Sequence, residues 1–207
     1  WVSRAAADRE VLLFPDVYTT YTNPDAGKAA VRVLEAANCH VEIPEVDGSG
    51  RPPHSKGMLD LSRAAAEDVV ETLASQVADG SDVVVVEPTD AVMLQTDYHD
   101  LLDGDASNVP DDDVAAVSAN TYGIMEFVDA HRLDDDLDLD APTESLTYHG
   151  HCHQKATKKD HHAVGVLRRA GYGVDPLDSS CCGMAGSFGY EAEHYAMSKA
   201  IGRLLFD

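Results

Sequence analysis

The residues best suited to chemistry are sulfur and imidazole, gathered toward the end of the chain. Three of the four cysteines lie in two short segments: Cys152 in HGHCHQKA (149–156), and Cys181 and Cys182 in CCGMAGSFGYE (181–191). Thiolates are soft donors that suit iron–sulfur clusters, Zn or Cu(I). Adjacent cysteines make poor disulfide partners, because the ring they close strains the peptide between them. They can share one bulky ligand if the backbone turns sharply. Gly183 supplies the positive φ for such a turn, and Gly186 and Gly189 allow close approach of backbone to a ligand. His151 and His153 flank Cys152 as further ligands, proton donors to sulfur or thiolate stabilisers. His149 is a weaker candidate, and His99, His161, His162 and His194 read as surface or helix residues. Cys39 follows an apolar helix and reads as a small buried hydrophobe. The glycine-rich GMAGSFG lacks the Lys-Ser/Thr that a phosphate loop needs. The residues alone leave three chemistries open: an iron–sulfur site, a zinc site of three thiolates and one histidine, and a thiol nucleophile at Cys152. An inert scaffold is the fourth.

Two cysteine segments can share a ligand only if the fold brings their loops to one edge, and an internal repeat supplies that edge. At a single offset of 133 residues, Leu13 meets Leu146, Val31 meets Val164, Leu34 meets Leu167, Ala37 meets Ala170, Val41 meets Val174 and Gly50 meets Gly183. Each copy reads strand, polar loop, helix, short strand, glycine-rich loop, second helix. The first strands are 11–14 and 145–148, and the second are 39–44 and 172–177. Asn23 and Pro24 form an N-cap and N1 pair, and Asn38 and Gly171 suit the left-handed position that ends a helix. In copy one a helix over 59–78 leads into a buried strand at 82–87. The fold class is therefore α/β: two pseudo-symmetric βαβ-type repeats with parallel strands in three layers. The domain reading is a first repeat over 1–102, an acidic linker carrying a helix around 114–133 over 103–143, and a second repeat over 144–207. The start at Trp1 and the want of a third strand in copy two read as a piece of a longer protein. Loops after parallel strands converge on one crevice, so Cys152 can meet Cys181 and Cys182.

HGHCHQKA followed by DSSCCGMAGSFGYE (178–191) resembles the second half of the cysteine-rich CCG-domain family. That family includes a subunit of heterodisulfide reductase, the iron–sulfur subunit of glycolate oxidase, a subunit of anaerobic glycerol-3-phosphate dehydrogenase and the C-terminal region of FAD-linked D-lactate dehydrogenases. GSGRPPHSKGMLD (48–60) resembles its first Cys-Cys-Gly-Arg-Pro segment, and EPTD (87–90) its Glu-Pro-Ser-Cys. The resemblance implies a 4Fe–4S cluster on Cys152, Cys181 and Cys182, lined by Gly183, His151 and His153. It also implies FAD on a partner domain or subunit, a ferredoxin-type iron–sulfur domain, and oxidation of glycolate, D-lactate or glycerol-3-phosphate elsewhere in the enzyme. The chain itself would carry electrons, in the cytoplasm or peripherally at the membrane, with Zn the alternative metal. Copy one departs from the pattern. Gly48 and Ser49 stand where the family has paired cysteines, Asp90 stands at the last cysteine, and the repeat sets Thr19 opposite Cys152. No thiolate remains there, and no cluster is expected.

Composition closes other classes. With 15 Lys+Arg against 37 Asp+Glu, the 207-residue chain carries a formal charge of −22, a field that repels nucleic-acid phosphates and anionic lipid headgroups. No apolar run approaches the ~20 residues of a membrane span. Aspartates outnumber glutamates 26 to 11 and lysines number only 6, the skew of a surface adapted to salt through hydrated carboxylates. Salt screens repulsion among those carboxylates. The melting temperature is therefore expected to rise from low to molar NaCl; a flat or falling trend in a thermal scan would contradict this reading.

Overall fold

Val11, Leu12, Leu13 and Phe14 are all at most 5% exposed, a continuous apolar run that only a strand covered on both faces can bury. The computed structural model describes residues 1–104, 107–139, 144–178 and 181–206. It divides into two compact units, Trp1–Leu139 and Asp140–Asp207. In unit 1 the run forms β1 (Arg9–Leu13), followed by α1 (Pro24–Ala36), β2 (Cys39–Glu42), the short α2 (Arg51–Ser55), α3 (Leu59–Ala78) and β3 (Asp82–Val85). Then come α4 (Pro88–Val92), α5 (Tyr98–Leu101), α6 (Asp111–Ala119), β4 (Thr121–Gly123) and α7 (Ile124–Ala130). The sheet is parallel throughout in the order β2-β1-β3-β4. Its order reverses between β1 and β3, the place where an open parallel sheet opens a crevice at its carboxyl edge.

Local sequence explains the elements. On α3, Ser62, Ala66, Val69, Val70, Leu73 and Val77 are buried, a stripe at helical spacing. That stripe packs with Leu12, Phe14, Val83 and Val85 from one face of the sheet. Val11, Leu13 and Val84, alternating with them, are buried as well. Asn38 turns left-handed at φ 57° and Gly171 at 103°, ending the two equivalent helices as their residue types suggest. Asn23 sits at the N-cap of α1 with Pro24 behind it, although its side chain makes no capping hydrogen bond.

Unit 2 repeats the opening of unit 1: β5 (Ser145–Tyr148), α8 (Cys152–Ala156), α9 (His161–Arg169), β6 (Gly173–Pro176) and α10 (Tyr195–Phe206). Strands β5 and β6 pair in parallel, Ser145 opposite Gly173 through Tyr148 opposite Pro176. The glycine-rich loops also correspond. Gly50 (φ 82°) holds its backbone against the Ser62 carbonyl, and Gly183 (φ 87°) holds its own against the Ser198 carbonyl. Ser62 and Ser198 are each the fourth residue of the following helix. The pairing of these serines shows that copy two carries three more residues between glycine and helix than a gapless offset allows.

One segment differs from the sequence reading. Residues 114–133 form α6, β4 and α7 rather than one helix, and they belong to unit 1 rather than to a solvated linker. Asp111, Asp112 and Asp113 fill the first turn of α6, where carboxylates favour the positive end of the helix dipole. Val114 and Val117 turn inward and α6 packs on α3. Thr121 and Tyr122, β-branched and aromatic, break the helix and pair with Val83 and Val84. Acidic runs mark one exposed face there and say nothing of the other. Residues 105–106 and 140–143 of the acidic segments, with Ser179, Ser180 and Asp207, lie outside the described residues.

Leu73 is fully buried in this core while Leu61, on the same helix, is 63% exposed. Leu73→Ala is expected to cost about 2–5 kcal/mol and Leu61→Ala under ~0.5 kcal/mol, as read from urea unfolding midpoints.

Candidate metal centre

In unit 2, β5 delivers the chain to Gly150 and His151 at the sheet's carboxyl edge, and α8 begins at Cys152. His151 is the N-cap: its Nδ1 accepts the backbone N–H of His153 at 3.2 Å. That bond fixes the imidazole beside the sulfur and occupies one of its two nitrogens. The His151 and His153 rings lie 5.6 Å apart. From β6 the chain returns to the same edge with Cys181 and Cys182. Cys181 and Cys182 both lie near enough to Cys152 to act on its thiol. Cys152 is exposed at the surface, yet partial desolvation pushes its thiol above its ordinary pKa; its interactions with Cys181 and Cys182 push the same way, and Lys155 opposes them. All three cysteines are free thiols.

Backbone contacts hold the adjacent pair in place. The Gly183 N–H donates to Cys181 Sγ at 3.3 Å. A β-carbon on Gly183 would lie 2.2 Å from the Ser198 carbonyl oxygen, and one on Gly189 would lie 2.7 Å from Ser198 Oγ. Gly202 meets the Cys182 carbonyl from the helix side, where a β-carbon would approach to 3.0 Å. The loop is thus pressed against the first turns of α10, and no side chain fits between. His194 stacks on Phe188 at 4.1 Å and pairs with Glu191 at 2.8 Å, bracing the same loop. The thiol set suits a soft metal or cluster.

Cys39 is different: it lies wholly buried on β2, and burial raises its thiol to about 11.

At the equivalent edge of unit 1 the structure holds oxygen. Ser49 is 2% exposed and its hydroxyl donates a short hydrogen bond to Asp90, which is 8% exposed. Tyr98, fully buried, donates to the Ser49 carbonyl at 2.9 Å, and the Arg51 N–H donates to Ser49 Oγ at 3.1 Å. Thr19, opposite Cys152, donates from its hydroxyl to Asp16 at 2.6 Å, and Asp16 also takes the N–H groups of Tyr18 and Thr19, each at 2.9 Å. Arg51 pairs with Asp97 and reaches the Thr89 carbonyl at 3.3 Å. The sequence reading passed over Asp16, Arg51 and Tyr98. Only Asp16 had a local signal, an aspartate three residues before a threonine at the start of a helical turn.

Residues 146–206 match the family model described as a cysteine-rich domain, CCG. That match covers less than a third of the chain and lies within unit 2. Across its whole length the chain is 27% identical over 214 residues to a subunit of the anaerobic glycerol-3-phosphate dehydrogenase of Escherichia coli (strain K12), covering 52% of that relative. It is 27% identical over 175 residues to lactate utilization protein A of Geobacillus sp. (strain WCH70), with 81% of this chain and 68% of that one aligned. It is 24% identical over 198 residues to D-2-hydroxyglutarate dehydrogenase of Escherichia coli (strain K12), spanning 95% of this chain and 18% of the relative. The chain thus spans about half the length of the glycerol-3-phosphate dehydrogenase subunit. The CCG match falls on the unit that keeps its thiols.

Desolvation raises Asp90 to about 6, with Asp16 and Glu87 adding to the shift and Ser49 and Arg51 opposing it. The folded protein therefore keeps a proton that the unfolded chain releases near pH 4. Its contribution to stability is complete below that pH and lost as pH rises through about 6. Asp90→Asn stays neutral and can still bond Ser49. It is expected to stabilise the protein by roughly 2 kcal/mol relative to wild type at pH 7 and by about nothing at pH 4. Paired denaturation curves at the two pH values check this; a difference independent of pH would show that Asp90 ionises without penalty.

Proposed function

We propose that the chain is the iron–sulfur electron-transfer part of a flavin-linked dehydrogenase acting on a 2-hydroxyacid or on glycerol-3-phosphate. The meeting of Cys152 with Cys181, beside Cys182, inside the segment that matches the CCG family carries this reading. The names of the relatives support the substrate class: glycerol 3-phosphate, lactate and 2-hydroxyglutarate are all secondary alcohols. Oxidising such an alcohol to a ketone releases two electrons as a hydride equivalent. A flavin on a partner domain or subunit would accept them, and one-electron carriers would take them onward.

Cys152, Cys181 and Cys182 would hold a 4Fe–4S cluster, whose contribution is to take up and release one electron at a time. The protein's own groups prepare the site. The Gly183 N–H stabilises negative charge on Cys181, Lys155 favours ionised Cys152, and the capping bond of His151 fixes where its ring stands. A partner, ferredoxin-type or flavin-bearing, would dock within electron-transfer reach of this edge. Among the described residues no helix is long and apolar enough to cross a membrane.

Anaerobic reconstitution of the protein with ferrous iron and sulfide is expected to give broad visible absorption and an EPR signal on reduction. Cys181→Ser and Cys182→Ser should each lose most of the bound iron, while Cys39→Ser keeps it. Uptake of one zinc ion and no iron by the wild type would overturn the electron-transfer reading.

A further inference from the structure

Charge is divided unequally between the two units. Unit 1 carries eight Lys+Arg against 29 Asp+Glu, whereas unit 2 carries seven against eight. The acidic surface therefore belongs to unit 1. Between Glu144 and Asp175 the sole acidic side chain is Asp160, set against Lys155, Lys158, Lys159, Arg168 and Arg169. Asp160 and Lys155 both lie against Gly150, where a β-carbon would come 3.1 Å from Asp160 Cβ and 3.3 Å from Lys155 Cε. The other four cations belong to the turn before α9 and to its last turn. Lys158, Arg168 and Arg169 are exposed and Lys159 is partly so, while α9 buries Ala163, Val164 and Val166. Lys158 turns left-handed at φ 59°, and its carbonyl accepts from His161 Nδ1 at 2.8 Å, which fixes the turn.

The first copy of the motif shows that this face stays open where the fold continues. Helix α1, the counterpart of α9, packs on β2 and on the turn at 18–22. Asp25, Lys28, Arg32 and Ala36 on its outer side remain exposed with β3 and β4 in place. The charges differ, however. At the 133-residue offset Asp25 stands opposite Lys158, Glu35 opposite Arg168 and Ala36 opposite Arg169. An acid in the first turn suits the helix dipole, as Asp25 does on α1 and Asp111 on α6. The dipole accounts for Arg168 and Arg169 in the last turn of α9 but disfavours Lys158 and Lys159 ahead of its first.

We propose that the outer face of α9, with the Lys158–Lys159 turn that joins it to α8, docks the electron-transfer partner, and that the partner meets it with an acidic face. The proposal rests on the electron-transfer reading of the cysteine edge: α8 begins at Cys152, and the basic turn follows directly after α8. Complementary charge steers encounter and fixes orientation. At an ionic strength of about 0.1 M the Debye length is about 10 Å, so carboxylates of unit 1 are screened at a distance while charges in contact still pair. A second copy of the chain would offer its acidic unit 1, whose corresponding edge carries the hydroxyl of Ser49 and the carboxyl of Asp90 and cannot receive an electron. Anionic lipid would have to approach the strongly acidic unit 1 of the same chain.

Calorimetric titration of the whole protein with a plant-type [2Fe–2S] ferredoxin, a small acidic protein, tests this at about 0.1 M NaCl. Binding is expected, and it should weaken as salt is added. The double reversals Lys158→Glu with Lys159→Glu, and Arg168→Glu with Arg169→Glu, should each weaken it by about tenfold or more. The same change of charge on α1, Lys28→Glu with Arg32→Glu, should leave it unaltered. Absence of binding overturns the proposal, as does an equal loss from the α1 reversal. Sedimentation as a dimer that the α9 reversals dissociate would assign the strip to a second copy instead. Retention on phosphatidylglycerol vesicles that those reversals abolish would assign it to lipid, and either result overturns the proposal. Iron uptake on reconstitution without ferredoxin binding would sink this inference alone. Ferredoxin binding through the strip by a chain that takes up only zinc would sink the electron-transfer reading and leave the acidic-partner surface standing.

Discussion

A carbonyl oxygen lies where a β-carbon would have to go. At Gly183 the helix backbone comes so near the loop that an added β-carbon would sit 2.2 Å from the Ser198 oxygen, and Gly50 meets Ser62 in the same way at 2.7 Å. Both glycines take the left-handed conformation that side-chain-bearing residues avoid. This contact fixes the direction in which the two residues before each glycine leave the loop. In unit 2 they are Cys181 and Cys182; in unit 1 they are Gly48 and Ser49. The parallel strands bring the loops to one edge, and the glycine aims what they carry.

What they carry separates the units. Sulfur at 152, 181 and 182 is a set of soft donors with little to bind among themselves, which is why burial and mutual repulsion raise the Cys152 pKa. Oxygen at 49 and 90 is self-sufficient: hydroxyl and carboxyl satisfy each other, and Tyr98 and Arg51 complete the set. The cost of the second solution is a carboxyl in a buried place beside Asp16 and Glu87, which keeps its proton to about pH 6. A polar network of this kind is favourable only when every member is satisfied. The same edge of the same motif therefore serves cohesion in one unit and ligand chemistry in the other.

The acidic surface follows separate rules. Carboxylates crowd the first turns of helices such as α6, where the dipole favours them, and leave inward positions to valine and leucine. High charge density and a largely apolar core coexist because a helix presents the two to opposite sides. Treating a run of aspartates as a linker overlooks that geometry.

The strands at 11–14 and 145–148, the helix Leu59–Ala78, the left-handed stops at Asn38 and Gly171 and the cysteine-bearing loops were all legible in the residues, since each rests on local spacing or on a residue type with few conformational choices. The internal repeat supplied the topology, and the motif around Cys181 and Cys182 supplied the resemblance to the CCG family. Other features belong to tertiary structure alone. Strand β4 exists because Thr121 and Tyr122 find the free edge of β3, a partner 38 residues earlier in the chain for each pair. The three-residue difference between the glycine loops shows only when Ser62 and Ser198 are seen doing the same work. Ser49 and Asp90 stand at the cysteine positions of the resembled pattern, but nothing local in the sequence places Tyr98 beside them. Their partnership is decided by the crevice that opens where the strand order reverses between β1 and β3, and a crevice is a property of the assembled sheet.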